Sequence, residues 1–126
     1  MQPLCLVIED DPELGNLMRS VIKIGRGIPE IVHDGRKGME RVRDRTAPIP
    51  ELFFIDLHLP GTSGEEIIQY LVNDPRYKNS IIVVITVDET WGKAIEARGI
   101  VDAVLIKPID DLRLYHQYID MAIERM

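Results

Sequence analysis

Residues 52–61 read Leu52-Phe53-Phe54-Ile55-Asp56-Leu57-His58-Leu59-Pro60-Gly61, an apolar run that stops at a carboxylate and is followed by a Pro-Gly breaker. A strand that is apolar throughout, rather than alternating, is one covered on both faces, as in a parallel sheet. Three more runs stop in the same way: Leu4-Cys5-Leu6-Val7-Ile8 at Glu9-Asp10-Asp11, Ile81-Ile82-Val83-Val84-Ile85 at Thr86, and Ala103-Val104-Leu105-Ile106 at Lys107-Pro108. Four such runs imply parallel strands that deliver polar side chains to one edge of a sheet, where open α/β folds place their sites.

The segments between them carry helical periodicity. Asp11-Pro12 offers an N-cap and a first-turn proline, and Leu14, Leu17, Met18, Val21 and Ile22 then repeat at the spacing of one helix face. Gly25-Arg26-Gly27 ends that helix, residues 28–33 read as a short strand, and Asp34-Gly35 leads into a basic helix with Met39 and Val42 inward. Pro48 and Pro50 forbid its continuation. Beyond Gly61-Thr62-Ser63-Gly64 a third helix turns Ile67, Ile68, Leu71 and Val72 to one side and stops near Asp74-Pro75, and Ser80 opens the next strand. A short segment with Trp91, Ala94, Ile95 and Ala97 ends at Gly99, and a last helix from about Asp111 carries Leu112, Tyr115, Tyr118, Ile119, Ala122 and Ile123. The expected fold is a doubly wound (βα)5 sandwich with helices on both faces of a five-stranded parallel sheet, because crossovers between parallel strands are right-handed.

A chain of 126 residues, 45% apolar, suits one domain spanning residues 1–126. Its single cysteine, Cys5, lies inside an apolar run, so neither a disulfide framework nor a Cys-based metal site is available. The opening apolar stretch lacks a basic flank and meets three acids at position 9, which reads as a cytoplasmic protein without a leader or membrane insertion. The net charge of −6 speaks against direct nucleic-acid binding. Residues 19–45 are locally basic, with eight Lys or Arg against four acids, as solvated helix faces often are.

The acidic cluster after the first strand, Asp56-Leu57-His58-Leu59-Pro60-Gly61 after the third, Thr86 after the fourth and Lys107-Pro108 after the fifth together resemble the receiver domain of bacterial two-component response regulators. The resemblance covers essentially the whole chain. It implies a flavodoxin-like strand order 2-1-3-4-5, a Mg²⁺ (or Mn²⁺) ion, and phosphorylation by a histidine kinase or phosphotransfer protein. An unknown downstream protein would then bind through the fourth helix, fifth strand and fifth helix of a monomer or weak dimer. By this similarity Asp56 is the phosphoacceptor, and Asp10 and Asp56 are direct metal ligands. Glu9 then contributes directly or through water, and His58 lends its backbone carbonyl. Lys107 supplies a second positive charge, Thr86 donates to a phosphoryl oxygen, and the Lys107–Pro108 bond is cis.

The chemistry is consistent with the residue types alone. Mg²⁺ takes oxygen ligands, which Glu9, Asp10 and Asp56 offer, and a cation relieves the mutual repulsion of carboxylates crowded at one edge. A carboxylate can act as nucleophile to form an acyl phosphate, and phosphoryl transfer depends mainly on positioning and charge stabilisation. Asp11 fits a helix cap better than a ligand. His58 is expected to point outward rather than to relay phosphate.

Three positions depart from the family pattern. Val87 follows Thr86 where a very small residue is usual, Val104 stands three residues before Lys107 where an aromatic is common, and Ile109 follows Pro108 where Phe is frequent. The usual aromatic switch is therefore missing, and Trp91, on or near the fourth helix, becomes a candidate partner contact, with packing on Ile95 as the bland reading. A pseudo-receiver acting as a phosphorylation-independent interaction module is the competing interpretation. A true phosphohydrolase is disfavoured because His58 occupies the place of its acid/base carboxylate, so the chain reads as a phosphoacceptor that assists its own phosphoryl chemistry rather than an enzyme.

Overall fold

In the computed structural model, which describes residues 1–126, the apolar runs form parallel strands in the order β2-β1-β3-β4-β5. The elements are β1 (Leu4–Ile8), α1 (Pro12–Ile24), β2 (Ile28–Val32), α2 (Gly35–Arg43), β3 (Leu52–Asp56), α3 (Gly64–Asn73), β4 (Ile81–Thr86), α4 (Glu89–Ala97), β5 (Ala103–Ile106) and α5 (Arg113–Glu124). Register aligns the strand ends. Ile8 lies beside Ile55, Asp56 beside Ile85, and Thr86 beside Ile106, so Glu9, Asp56, Thr86 and Lys107 emerge along one edge.

Alternation along the buried strands builds two cores. Cys5, Val7, Phe54, Val83 and Ile85 face α1 and α5, where Met18, Val21, Ile22, Tyr115 and Ile119 meet them. Leu6, Ile8, Phe53, Ile55 and Val84 face α2, α3 and α4, against Val42, Ile67, Ile68, Leu71 and Ile95. Each core holds one edge-to-face aromatic pair, Phe54 with Tyr115 and Phe53 with Tyr77, both with ring centres 5.6 Å apart. Burial of each large apolar side chain contributes about 1.5–3 kcal/mol, enough to rank these two layers above any surface contact. Cys5 is part of this packing: burial, with a smaller contribution from the Glu51 charge, pushes its thiol up to about 12, which makes it an inert core residue.

Four helices begin on side-chain caps. Asp11 accepts from the Glu13 amide at 3.0 Å, Asp34 from Lys37 at 2.7 Å, Ser63 from Glu66 at 3.2 Å, and Asp88 from Trp91 at 2.8 Å. Asp11 is thus the cap the Asp-Pro pair implies. The last helix starts later than the sequence suggests, at Arg113, because the Asp111 carboxylate accepts from the Arg113 amide and holds a turn there. β2 ends at Val32, one residue short of His33, and β4 starts at Ile81 after a short 3₁₀ turn, Pro75–Tyr77, which the Asp74-Pro75 stop signal concealed. No helix is long and apolar enough to cross a membrane.

That turn carries a polar clamp. Asp74 is buried and pairs with Arg76 at 2.8 Å, while Arg76 and the Tyr77 hydroxyl donate to the Val42 carbonyl at the end of α2. Hydrogen bonds from Arg76 hold the Asp74 carboxyl down to about 2 from an ordinary 3.8. A carboxylate depressed by folding stabilises above its unfolded pKa, and the contribution is lost as pH falls through the folded value. Asp74→Asn should therefore lower stability at neutral pH and flatten its loss between roughly pH 4 and 2. Urea melts across that range check both the sign and the window.

Candidate functional site

The edge where β1, β3, β4 and β5 end is an acidic pocket built around a lysine. Glu9 is fully buried, Asp56 nearly so, and Asp10 is exposed at the mouth. Lys107, arriving from β5, places Nζ 2.9 Å from Glu9 Oε2 and 2.9 Å from Asp56 Oδ2. The ring of contacts continues through the backbone: the His58 amide donates to Asp56 Oδ1 at 3.0 Å, and the Asp11 amide donates to Glu9 Oε1 at 3.2 Å. Thr86 is fully buried, and its Oγ1 accepts from the Asp88 amide at 3.1 Å. The Lys107–Pro108 bond is cis.

Burial raises the Glu9 carboxyl well above the usual carboxylate range; the Asp56 charge adds to this, and hydrogen bonds from Lys107 and the Asp11 amide oppose it. Burial also disfavours the Lys107 ammonium, but hydrogen bonds to Glu9 and Asp56 outweigh that and keep it firmly charged. The pocket thus gathers three carboxylates around one ammonium. Glu9, Asp10 and Asp56 each offer an oxygen, all lying within 4.8 Å of one another, which is the oxygen-only donor set that a hard divalent cation takes.

Two glycines bring the surrounding loops into close contact. A Cβ on Gly64, at the start of α3, would lie 2.0 Å from the Asp56 carbonyl oxygen, and one on Gly35 would lie 1.6 Å from the Thr62 carbonyl oxygen. The first turn of α3 therefore rests directly on the backbone of Asp56. In the sequence, Gly64 looks like an ordinary helix start; the close approach belongs to tertiary packing.

The positions that depart from the family pattern lie around this pocket. Val87 is 66% exposed and forms the rim of a shallow groove with Leu14, Leu17, Lys107 and Ile109. Val104 is half-buried and lies where a Cβ on Gly92 of α4 would touch it at 3.0 Å, so helix and strand meet with no aromatic ring between them. The Trp91 ring leaves its own helix to meet His58 edge-on, ring centres 4.8 Å apart, and its indole N–H donates to Glu65 of α3. His58 does point outward, yet its Nε2 lies 3.3 Å from Asp88 Oδ2. Glu65 and Arg98 had no signal in the sequence beyond being charged, and Asp88 none beyond that of a helix cap.

The parallel doubly wound sheet thus carries an acidic, lysine-bridged pocket at its carboxyl edge. Residues 5–119 match the response regulator receiver domain, and the chain belongs to that family, the receivers of two-component systems. The transcriptional regulatory protein BtsR of Salmonella typhi is 29% identical over 109 residues, 86% of this chain and 44% of the relative. The hybrid signal transduction histidine kinase D of Dictyostelium discoideum is 29% identical over 105 residues, 82% of this chain and 6% of the kinase. The chain thus spans less than half the length of these relatives. Among solved structures, a sensor protein from Polaromonas sp. JS666 superposes with a TM-score of 0.82 at 25% identity, covering 98% of each chain.

Proposed function

We propose that this receiver accepts a phosphoryl group on Asp56 from the phosphohistidine of a histidine kinase or phosphotransfer protein, in a Mg²⁺-dependent step. The observation that carries the reading is the Lys107 ammonium held between Glu9 and Asp56, with Asp10 close enough to complete an oxygen site. An Asp56 carboxylate oxygen attacks phosphorus, the P–N bond breaks, and the departing imidazole keeps the electron pair and takes a proton from solvent. The His58 amide fixes one oxygen of Asp56 in place. Lys107, already on the other oxygen, is positioned to neutralise the incoming phosphoryl charge, and Thr86 brings a hydroxyl to the same edge. Glu9, Asp10 and Asp56, with the His58 carbonyl, would hold Mg²⁺, which when bound would supply the charge neutralisation that lets one anion approach another.

The chain acts as a phosphoacceptor that assists its own phosphoryl chemistry, not as a turnover enzyme. Phosphorylation shifts the balance between two conformations and changes affinity for a downstream protein through the face formed by α4, β5 and α5, with Trp91, Val87 and Val104 on or beside that path. A cytoplasmic location goes with such a partner. The test is incubation with phosphoramidate, whose P–N bond matches that of phosphohistidine, with and without Mg²⁺. One phosphoryl group per chain in the intact mass, absent under EDTA, is expected; an unchanged mass with Mg²⁺ present contradicts the reading.

A further inference from the structure

The contacts between the phosphoacceptor loop and α4 form a connected set. The His58 amide donates to Asp56 Oδ1, and the His58 ring meets both Asp88, the N-cap of α4, and the Trp91 ring. Trp91 is in turn held by Glu65, and Arg98 at the far end of α4 donates to Glu65 at 3.3 Å and to Gln69 at 2.7 Å. On its inner side α4 touches the sheet through Gly92, where a Cβ would meet the Thr86 methyl at 3.2 Å and Val104 at 3.0 Å. The helix is therefore seated on the sheet by a ring-free contact at Gly92 and by Ile95 in the core, and is joined to α3 through side chains.

We infer that His58, Glu65, Trp91 and Arg98 form a latch that fixes α4 against α3 while Asp56 is unphosphorylated and is released when Asp56 accepts a phosphoryl group. This rests on the phosphoacceptor reading. The physical cause is local: a carboxylate oxygen is a strong acceptor for the His58 amide, and conversion to an acyl phosphate leaves a neutral carbonyl that accepts more weakly. The pairs of the latch are half-exposed, and such pairs are individually weak, so the set is marginal enough to open. Transmission then runs through the His58 ring, which bypasses the missing aromatic at Val104.

Trp91 is the chain's single tryptophan, so its emission reports on the latch directly. Wild type is treated with phosphoramidate and Mg²⁺, and intact mass and emission are read from the same samples. The latch predicts that emission changes in step with the phosphorylated fraction. In His58→Ala and in Glu65→Ala the emission change per phosphorylated chain should be lost, with the starting spectrum already shifted toward that of phosphorylated wild type. Added mass with unchanged wild-type emission overturns the latch alone, as does a full emission change in both variants. Absence of added mass in wild type overturns the phosphoacceptor reading and the latch with it. Glu65 lies outside the phosphorylation pocket and is solvent-accessible, so its variant keeps the test usable if His58→Ala does not fold.

Discussion

Replacing Lys107 with methionine should destabilise the fold by about 3–5 kcal/mol at neutral pH, the cost of breaking a buried ion pair by removing one partner. Its ammonium is the neutralising contact for two buried carboxylates at once, each at 2.9 Å, and Glu9 has no access to solvent. A loss of that size lowers the melting temperature by on the order of 10 °C in a domain of this length. The penalty should depend on pH in a defined sense. The Glu9 carboxyl is raised by burial, so the folded protein retains a proton there that the unfolded chain has released. A raised acid costs nothing below its unfolded pKa and progressively more as pH climbs through the folded value. Lys107→Met removes a group that holds Glu9 down, so the deficit should be smallest in mild acid and fullest at neutral and alkaline pH. Added Mg²⁺ should recover part of it by restoring positive charge to the pocket. Thermal melts at several pH values, with and without Mg²⁺, test this; a variant as stable as wild type at neutral pH would show that the pocket tolerates uncompensated charge.

Gly64→Ala is expected to disrupt Asp56 directly through its backbone. The new Cβ would meet backbone, the Asp56 carbonyl oxygen at 2.0 Å and Leu57 Cα at 2.8 Å, and backbone does not swing aside as a flexible side chain would. Either α3 lifts from the sheet or Asp56 is displaced. Overpacking typically costs about 1–3 kcal/mol, and a clash this close belongs at or above the upper end. Gly99→Ala provides the contrast. Gly99 has φ +67 and nothing within 4 Å of a Cβ, so its cost is confined to the left-handed backbone, about 1–2 kcal/mol, with no effect on the pocket. The two variants should therefore separate in phosphoryl uptake even where their melting temperatures overlap: Gly64→Ala loses it and Gly99→Ala keeps it.

The strands and the pocket were legible in the sequence for one shared reason. A buried parallel strand is an uninterrupted apolar run, and the residue that ends it is placed at the sheet edge by the register itself, so Glu9, Asp56, Thr86 and Lys107 could be read together from runs far apart in the chain. Asp11 was readable as a cap because the Asp-Pro pair has a local geometry. The latch was not, because it joins His58, Glu65, Trp91 and Arg98 through contacts between helices, and nothing in the periodicity of α4 reveals that the Trp91 ring meets His58 while its indole N–H reaches Glu65 of α3. The close approaches at Gly35 and Gly64 were hidden for a similar reason, since a glycine before a helix is as common in a loose loop as under a carbonyl. The late start of α5 depended on which of several acids would hold a turn, and Asp111 did.

The most direct measurement is the location of the phosphoryl group. After incubation with phosphoramidate and Mg²⁺, wild type and Asp56→Asn are compared by intact mass, and the wild-type product is fragmented to find the modified residue. One phosphoryl group on Asp56, labile to hydroxylamine as an acyl phosphate is and absent from Asp56→Asn, is the expected result. Added mass that persists in Asp56→Asn, or no added mass in wild type, would contradict phosphoacceptance at Asp56 and leave an interaction module that keeps the receiver fold without its chemistry.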